Sequence, residues 1–218
     1  MNIFKLSLLI GVILLVVSGV VIVNLPQGLE LPIHWNIDGE VDRMVNADLA
    51  LLAPPLMIFF IIGLLAILKY IEPRKTNLAH STKAINAVCM TIVLLASVME
   101  GGYLALLAGL SFSMHLLVIF TVGLALMIIG NYLSKARSNF FIGIRTPWTL
   151  SSENVWRKTH RLGGRLITIA GAITALLCWF IPNDALGYLI TAVVLPAAIF
   201  PTIYSWWLWR NEQLDHHS

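Results

Sequence analysis

Charge is scarce in this 218-residue chain: Asp, Glu, Lys and Arg make up 11% of it, against 58% for hydrophobic residues. A soluble domain carries about 25% charged residues, so a water-facing surface around the whole chain is excluded and an integral membrane protein is indicated. Cysteine is equally sparse. Cys89 and Cys178 both fall inside apolar runs with no CxxC spacing, which excludes a disulfide framework and reads as two lone buried thiols. Catalytic signatures are missing too: there is no HExxH, no phosphate loop, no glycine fingerprint, and no nucleophile with a base at recognisable spacing. The reading is a protein that is not an enzyme and needs no cofactor or metal. The first apolar run, 4–23, has no small-x-small cleavage site after it. It is also longer than the about 7–15 residues of a signal core, so a retained first span is expected.

What the chain has is apolar length. Six segments reach the about 20 residues a crossing needs: roughly 4–24, 50–70, 85–108, 115–134, 163–181 and 185–209. Backbone groups in lipid must be satisfied within their own segment, so these are predicted helices. The fold class is all-α, a polytopic membrane protein forming one membrane domain over 1–218. Pro54-Pro55 is read as opening the second span, and Pro196 and Pro201 as kinking the sixth.

Basic residues fix the orientation. Of the 14 Lys and Arg residues, all but Arg43 fall at the start of span 1, at or between the facing ends of spans 2 and 3, at or between the facing ends of spans 4 and 5, or after span 6. The termini and the 135–162 loop are therefore predicted to be cytoplasmic. Trp206, Trp207 and Trp209 beside Arg210 form an aromatic belt at that face. The 25–49 loop holds Glu30, Asp38, Glu40, Asp42 and Asp48 against Arg43, a net charge of −4 on the outside. Asp38-Gly39 between apolar residues predicts a small hairpin or tight loop. His34, Trp35, Asn36, Asp38 and Gly39 are the outer-loop candidates, for an encounter with an external cationic or amphipathic peptide. The spacing of His34, Asp38, Glu40 and Asp42 does not fit a calcium loop. Glu100 is an intramembrane carboxylate, expected to face the bundle interior as a polar clamp or a proton-handling group.

The most distinctive stretch is 139–161, Asn-Phe-Phe-Ile-Gly-Ile-Arg-Thr-Pro-Trp-Thr-Leu-Ser-Ser-Glu-Asn-Val-Trp-Arg-Lys-Thr-His-Arg. Thr146 before Pro147 is pushed to extended geometry. Ser151 or Ser152 is a good N-cap, with Glu153 in the first turn. A short amphipathic helix over 152–162 is predicted along the inner membrane surface, with Trp156 and His160 in contact and Gly163-Gly164 as a hinge or close-packing point. Candidate partner-binding residues are Arg145, Thr146, Pro147, Trp148, Trp156, Lys158, His160 and Arg161. The charges alone suit anionic lipid headgroups, and direct nucleic-acid binding is not expected.

This segment resembles the signature of the SdpI family, bacterial integral membrane proteins that give immunity to a secreted peptide toxin. The region around Leu31-Pro-Ile-His-Trp-Asn-Ile-Asp-Gly is similar to a small membrane domain of unknown function (DUF1648-like) that precedes the signature in many members. The resemblance implies a division into 1–70, spans 1 and 2, and 71–218, spans 3–6. It also implies a bacterial plasma-membrane immunity or signalling protein whose partners are a peptide toxin and a cytoplasmic autorepressor. The rival readings from the residues are a small proton-coupled transporter or channel lined by Glu100, and an envelope-stress or structural protein.

Overall fold

The computed structural model describes residues 2–215; His216 and His217 lie outside them. Helix α1 (Ile3–Ile22) leads into a hairpin of β1 (Glu30–Trp35) and β2 (Val41–Asn46). Then come α2 (Ala47–Ile71), the short α3 (Lys75–His80), α4 (Thr82–Leu107), α5 (Met114–Leu133), the short α6 (Pro147–Ser151), α7 (Glu153–Leu177) and α8 (Leu186–Asp215). The hairpin makes the fold slightly less than all-α, and α3 and α6 are additions to the expected element set.

Among the described residues, five helices are long and apolar enough to cross a membrane: α1, α2 up to Leu68, α4, α5 and α8 with the turn before it. α7 is as long as the others, but its first turns carry Glu153, Arg157, Lys158, Arg161 and Arg165. The expected separate surface helix over 152–162 is corrected here. Those residues are the first turns of α7 and continue unbroken into the apolar part. Its apolar face, including Val155, Trp156 and Gly163, turns into the protein and not into lipid.

The burial pattern inverts that of a soluble bundle. On α1 the buried residues are Ser7, Gly11 and Ser18, while Leu9, Val12, Ile13, Val16 and Val20 are exposed. Lipid accepts those apolar side chains, and close helix approach selects the small and polar ones inside. α5 and α7 show the same logic most strongly. A Cβ on Gly130 would lie 2.6 Å from the Thr168 nitrogen, and one on Gly171 would lie 2.5 Å from the Gly123 carbonyl oxygen. Gly164 meets the Gly130 carbonyl in the same contact. Gly163-Gly164 is thus a packing site and not a hinge.

Pro54 and Pro55 sit inside α2 rather than opening it. Pro55 has no N–H to give the Leu51 carbonyl four residues back. That carbonyl faces the Ser18 hydroxyl at 2.9 Å. Ser18 Oγ also lies 2.7 Å from Glu100 Oε1 and 2.9 Å from the Leu14 carbonyl. Glu100 is fully buried and joins α4 to α1 through Ser18, and its Oε2 has no hydrogen-bond partner among the described residues.

At one end of the bundle the hairpin is docked on the helices. Tyr103 Oη donates to the Pro32 carbonyl at 2.9 Å, and Tyr188 Oη donates to Asp38 at 2.9 Å. Trp35 stacks on His115 with ring centroids 6.2 Å apart. His115 is buried there. Gly39, at φ +78°, and Gly187 allow this approach: a Cβ on Gly39 would lie 2.7 Å from His115 Nδ1, and one on Gly187 would collide with the Ile37 carbonyl.

Candidate functional site: the folded loop at the basic end

At the opposite end, three remote segments meet: the α2–α3 turn, the loop from 134 to 153, and the last turns of α8. The 134–146 stretch has little regular structure, so its backbone groups need other partners. Asn139, fully buried, supplies many of them. Its Oδ1 accepts from Phe141 and Ile142 N–H at 2.8 and 2.7 Å, and its Nδ2 donates to the Arg137 and Ile142 carbonyls at 2.7 and 3.1 Å. Glu72, also fully buried, accepts N–H bonds from Arg74 (2.9 Å) and Phe140 (3.0 Å). Arg74 reaches across to Ser138 Oγ and the Leu150 carbonyl, with its guanidinium over the Phe140 ring. Asn77 donates to the Ser138 carbonyl at 2.8 Å, and Ser81 Oγ accepts from Arg137 N–H at 3.0 Å.

Trp156 and His160 pin the loop to α7. They lie one turn apart and stack at 3.9 Å. Trp156 Nε1 donates to the Ala136 carbonyl at 2.8 Å. His160 Nε2 accepts from the Ile144 N–H at 2.9 Å, so the ring proton sits on Nδ1, which faces the Trp156 carbonyl at 2.8 Å. Burial pushes the pKa of His160, which lies before the apolar part of α7, down to about 4. Gly143, at φ +124°, passes directly over this pair; a Cβ there would collide with His160 Nε2.

Thr146 caps α6 by accepting from Thr149 N–H at 3.1 Å, while Thr149 Oγ1 accepts from Thr146 N–H at 2.9 Å, a capping box with Pro147 in the first turn. Thr146 also reaches Ser205 of α8 at 3.0 Å. Ser152 is the N-cap of α7, accepting from Val155 N–H at 3.2 Å, and donates to Glu212 of α8 at 2.7 Å.

The structure therefore splits the eight signature candidates. Thr146, Trp156 and His160 are buried and occupied in holding the loop, so they present no docking surface. Arg145, Pro147, Lys158 and Arg161 are exposed and Trp148 is half-buried; Arg145 Nη1 donates to the Phe140 carbonyl at 2.8 Å. Of the outer-loop candidates, His34 pairs with Asp42 at 2.7 Å on the surface. Asn36 Oδ1 caps the turn by accepting from Asp38 and Glu40 N–H at 3.0 and 2.9 Å. Glu100 lies in the interior where α4 meets α1, one turn before Tyr103, which holds the hairpin. Sequence reasoning missed Glu72, Arg74 and Glu212 as loop partners. Their only sequence signal is charge at a span end, which topology explains without a contact.

A bundle with small residues inside, apolar side chains outside and polar assemblies at both ends defines a polytopic helical membrane protein. Residues 135–205, which hold the folded loop, α6, α7 and most of α8, match the SdpI/YfhL protein family. The "Immunity protein SdpI" of Bacillus subtilis (strain 168) is 26% identical over 185 residues, 84% of this chain and 84% of that protein. The chain is thus similar to the SdpI/YfhL family over its signature segment and to that immunity protein over most of its length. No solved structure matches it.

Proposed function

We propose that this chain is a non-catalytic immunity protein of the bacterial plasma membrane that gives resistance to a secreted peptide toxin. The supporting observation is its likeness to Immunity protein SdpI over 84% of both chains, which takes in more than the signature segment alone. In this reading α7 completes six crossings, its apolar part from Gly163 onward serving as the fifth. Both termini and the basic end face the cytoplasm, consistent with the distribution of Lys and Arg. The toxin meets the acidic hairpin end, where His34, Trp35, Asn36, Asp38 and Gly39 lie, or the bundle beside it. A cytoplasmic autorepressor, where one exists, docks on the exposed part of the other end, at Arg145, Trp148, Lys158 and Arg161, beside anionic lipid.

The test is survival. A toxin-sensitive bacterium without relatives of this protein is made to express it and is challenged with a secreted membrane-active peptide toxin. Protection supports the reading. Equal killing with and without the correctly inserted protein removes immunity to that peptide. Proton flux into vesicles, lost on Glu100→Gln, would establish the transport reading instead.

A further inference from the structure

We infer that the groove between α5 and α7 at the basic end binds the phosphate headgroup of an anionic phospholipid through Arg157, Arg161 and Arg165. The three arginines are four residues apart on one face of α7 and all are exposed. They line a groove of about 660 Å³ whose other wall is α5, with Asn131 and Ser134. Among the described residues, no Asp or Glu lines it. The nearby acids are engaged elsewhere: Glu153 faces Asn77 at 3.4 Å, and Glu212 holds Ser152 and Asn154. Arg157 touches Asn154 Oδ1 at 3.3 Å, and among the described residues the one ion pair, His34–Asp42, is at the far end of the bundle. Like charges at this spacing repel unless an anion sits among them. Guanidinium forks match phosphate oxygens two at a time.

Two features select a lipid over free phosphate. The backbone-level contact of Gly130 with Gly164 and Thr168 keeps side chains out of the groove floor, so it runs down to the helix backbones. The arginine face then continues into apolar surface: Ile169, four residues beyond Arg165, and Leu176 are 55% and 66% exposed. From Arg161 to Arg165 is about 6 Å along the helix, close to the thickness of one headgroup layer. One stripe of α7 thus offers charge to a headgroup and hydrocarbon to its acyl chains, and a soluble anion would use only the first. This inference rests on the membrane placement proposed above and is independent of immunity, since lipid retention is read without any toxin.

The test is native mass spectrometry of the full chain released from detergent, titrated with phosphatidylglycerol, phosphatidylcholine or inorganic phosphate. Phosphatidylglycerol should be retained more tightly than phosphatidylcholine. R157Q/R161Q/R165Q should lose that preference by on the order of a hundredfold, while Lys83→Gln, an exposed charge on α4 outside the groove, should keep it. If the triple variant does not insert, Arg161→Gln alone must weaken phosphatidylglycerol retention severalfold. Equal retention of both lipids, an unchanged preference in the arginine variants, or full displacement by millimolar phosphate would overturn the assignment.

Discussion

His160 holds a backbone N–H with its unprotonated nitrogen, and that bond sets a pH dependence. Protonating Nε2 would put two donors face to face at Ile144. The folded-state pKa of about 4 lies below the unfolded value of about 6.5, so between those values the unfolded chain binds more protons. The contribution of His160 is complete above pH 6.5 and is lost as pH falls towards 4, a difference of roughly 3 kcal/mol. Melting of the purified protein should drop between pH 7 and 5, and the drop should be smaller in His160→Asn. An equal drop in both would assign the effect to other groups. Gly143→Ala places a Cβ against His160 in a backbone region that disfavours side chains. It should cost about 1–3 kcal/mol in strain alone, seen as a lower melting temperature. At Glu100 the count of protons matters: the single Ser18 hydroxyl proton faces three acceptors. An amide brings its own N–H, so Glu100→Gln should melt at or above the native temperature and Glu100→Ala below it. Melting of Glu100→Gln below Glu100→Ala would contradict this count.

α7 shows at the element scale what the sequence hides. Its first third is charged and its remainder apolar, so hydropathy divides one helix into a surface piece and a span. The face periodicity does not divide: Val155, Trp156, Thr159, His160, Gly163, Gly164, Ala170, Gly171 and Thr174 are all buried along one side. Followed through the charge boundary, that 3.6-residue pattern was the available signal for a continuous helix. The other long helices were legible because uninterrupted apolar length is itself their cause. The α5–α7 contact depends on glycines whose neighbours are backbone atoms. Gly171→Leu should therefore separate the two helices, leaving little protein monodisperse in size-exclusion chromatography, while Gly101→Leu, where a Cβ would meet nothing, should behave as wild type.

The whole molecule has two unlike ends, and they were legible to different degrees. The hairpin end was foreseen from Asp38-Gly39, because turn chemistry is local. The residues that hold it were not, since Tyr103, His115 and Tyr188 reach it from other helices. The basic end was visible as a motif but misread as surface. A tryptophan, a histidine and a threonine in a polar loop look available for binding until the loop folds over them. Single cysteines at Asp42 and at Lys75, both exposed, test the two-ended arrangement in intact cells, with Cys89 and Cys178 buried. An impermeant maleimide should label the first directly and the second only after permeabilisation; the reverse pattern would invert the protein in the membrane.

The measurement closest to the central claim is a toxin dose–survival curve in isogenic sensitive cells, with the protein absent or present at verified membrane levels. Immunity predicts that expression moves the curve to higher toxin concentration, and that Gly143→Ala moves it back in step with the loss of folded protein. Coincident curves with the native protein correctly inserted would contradict the account.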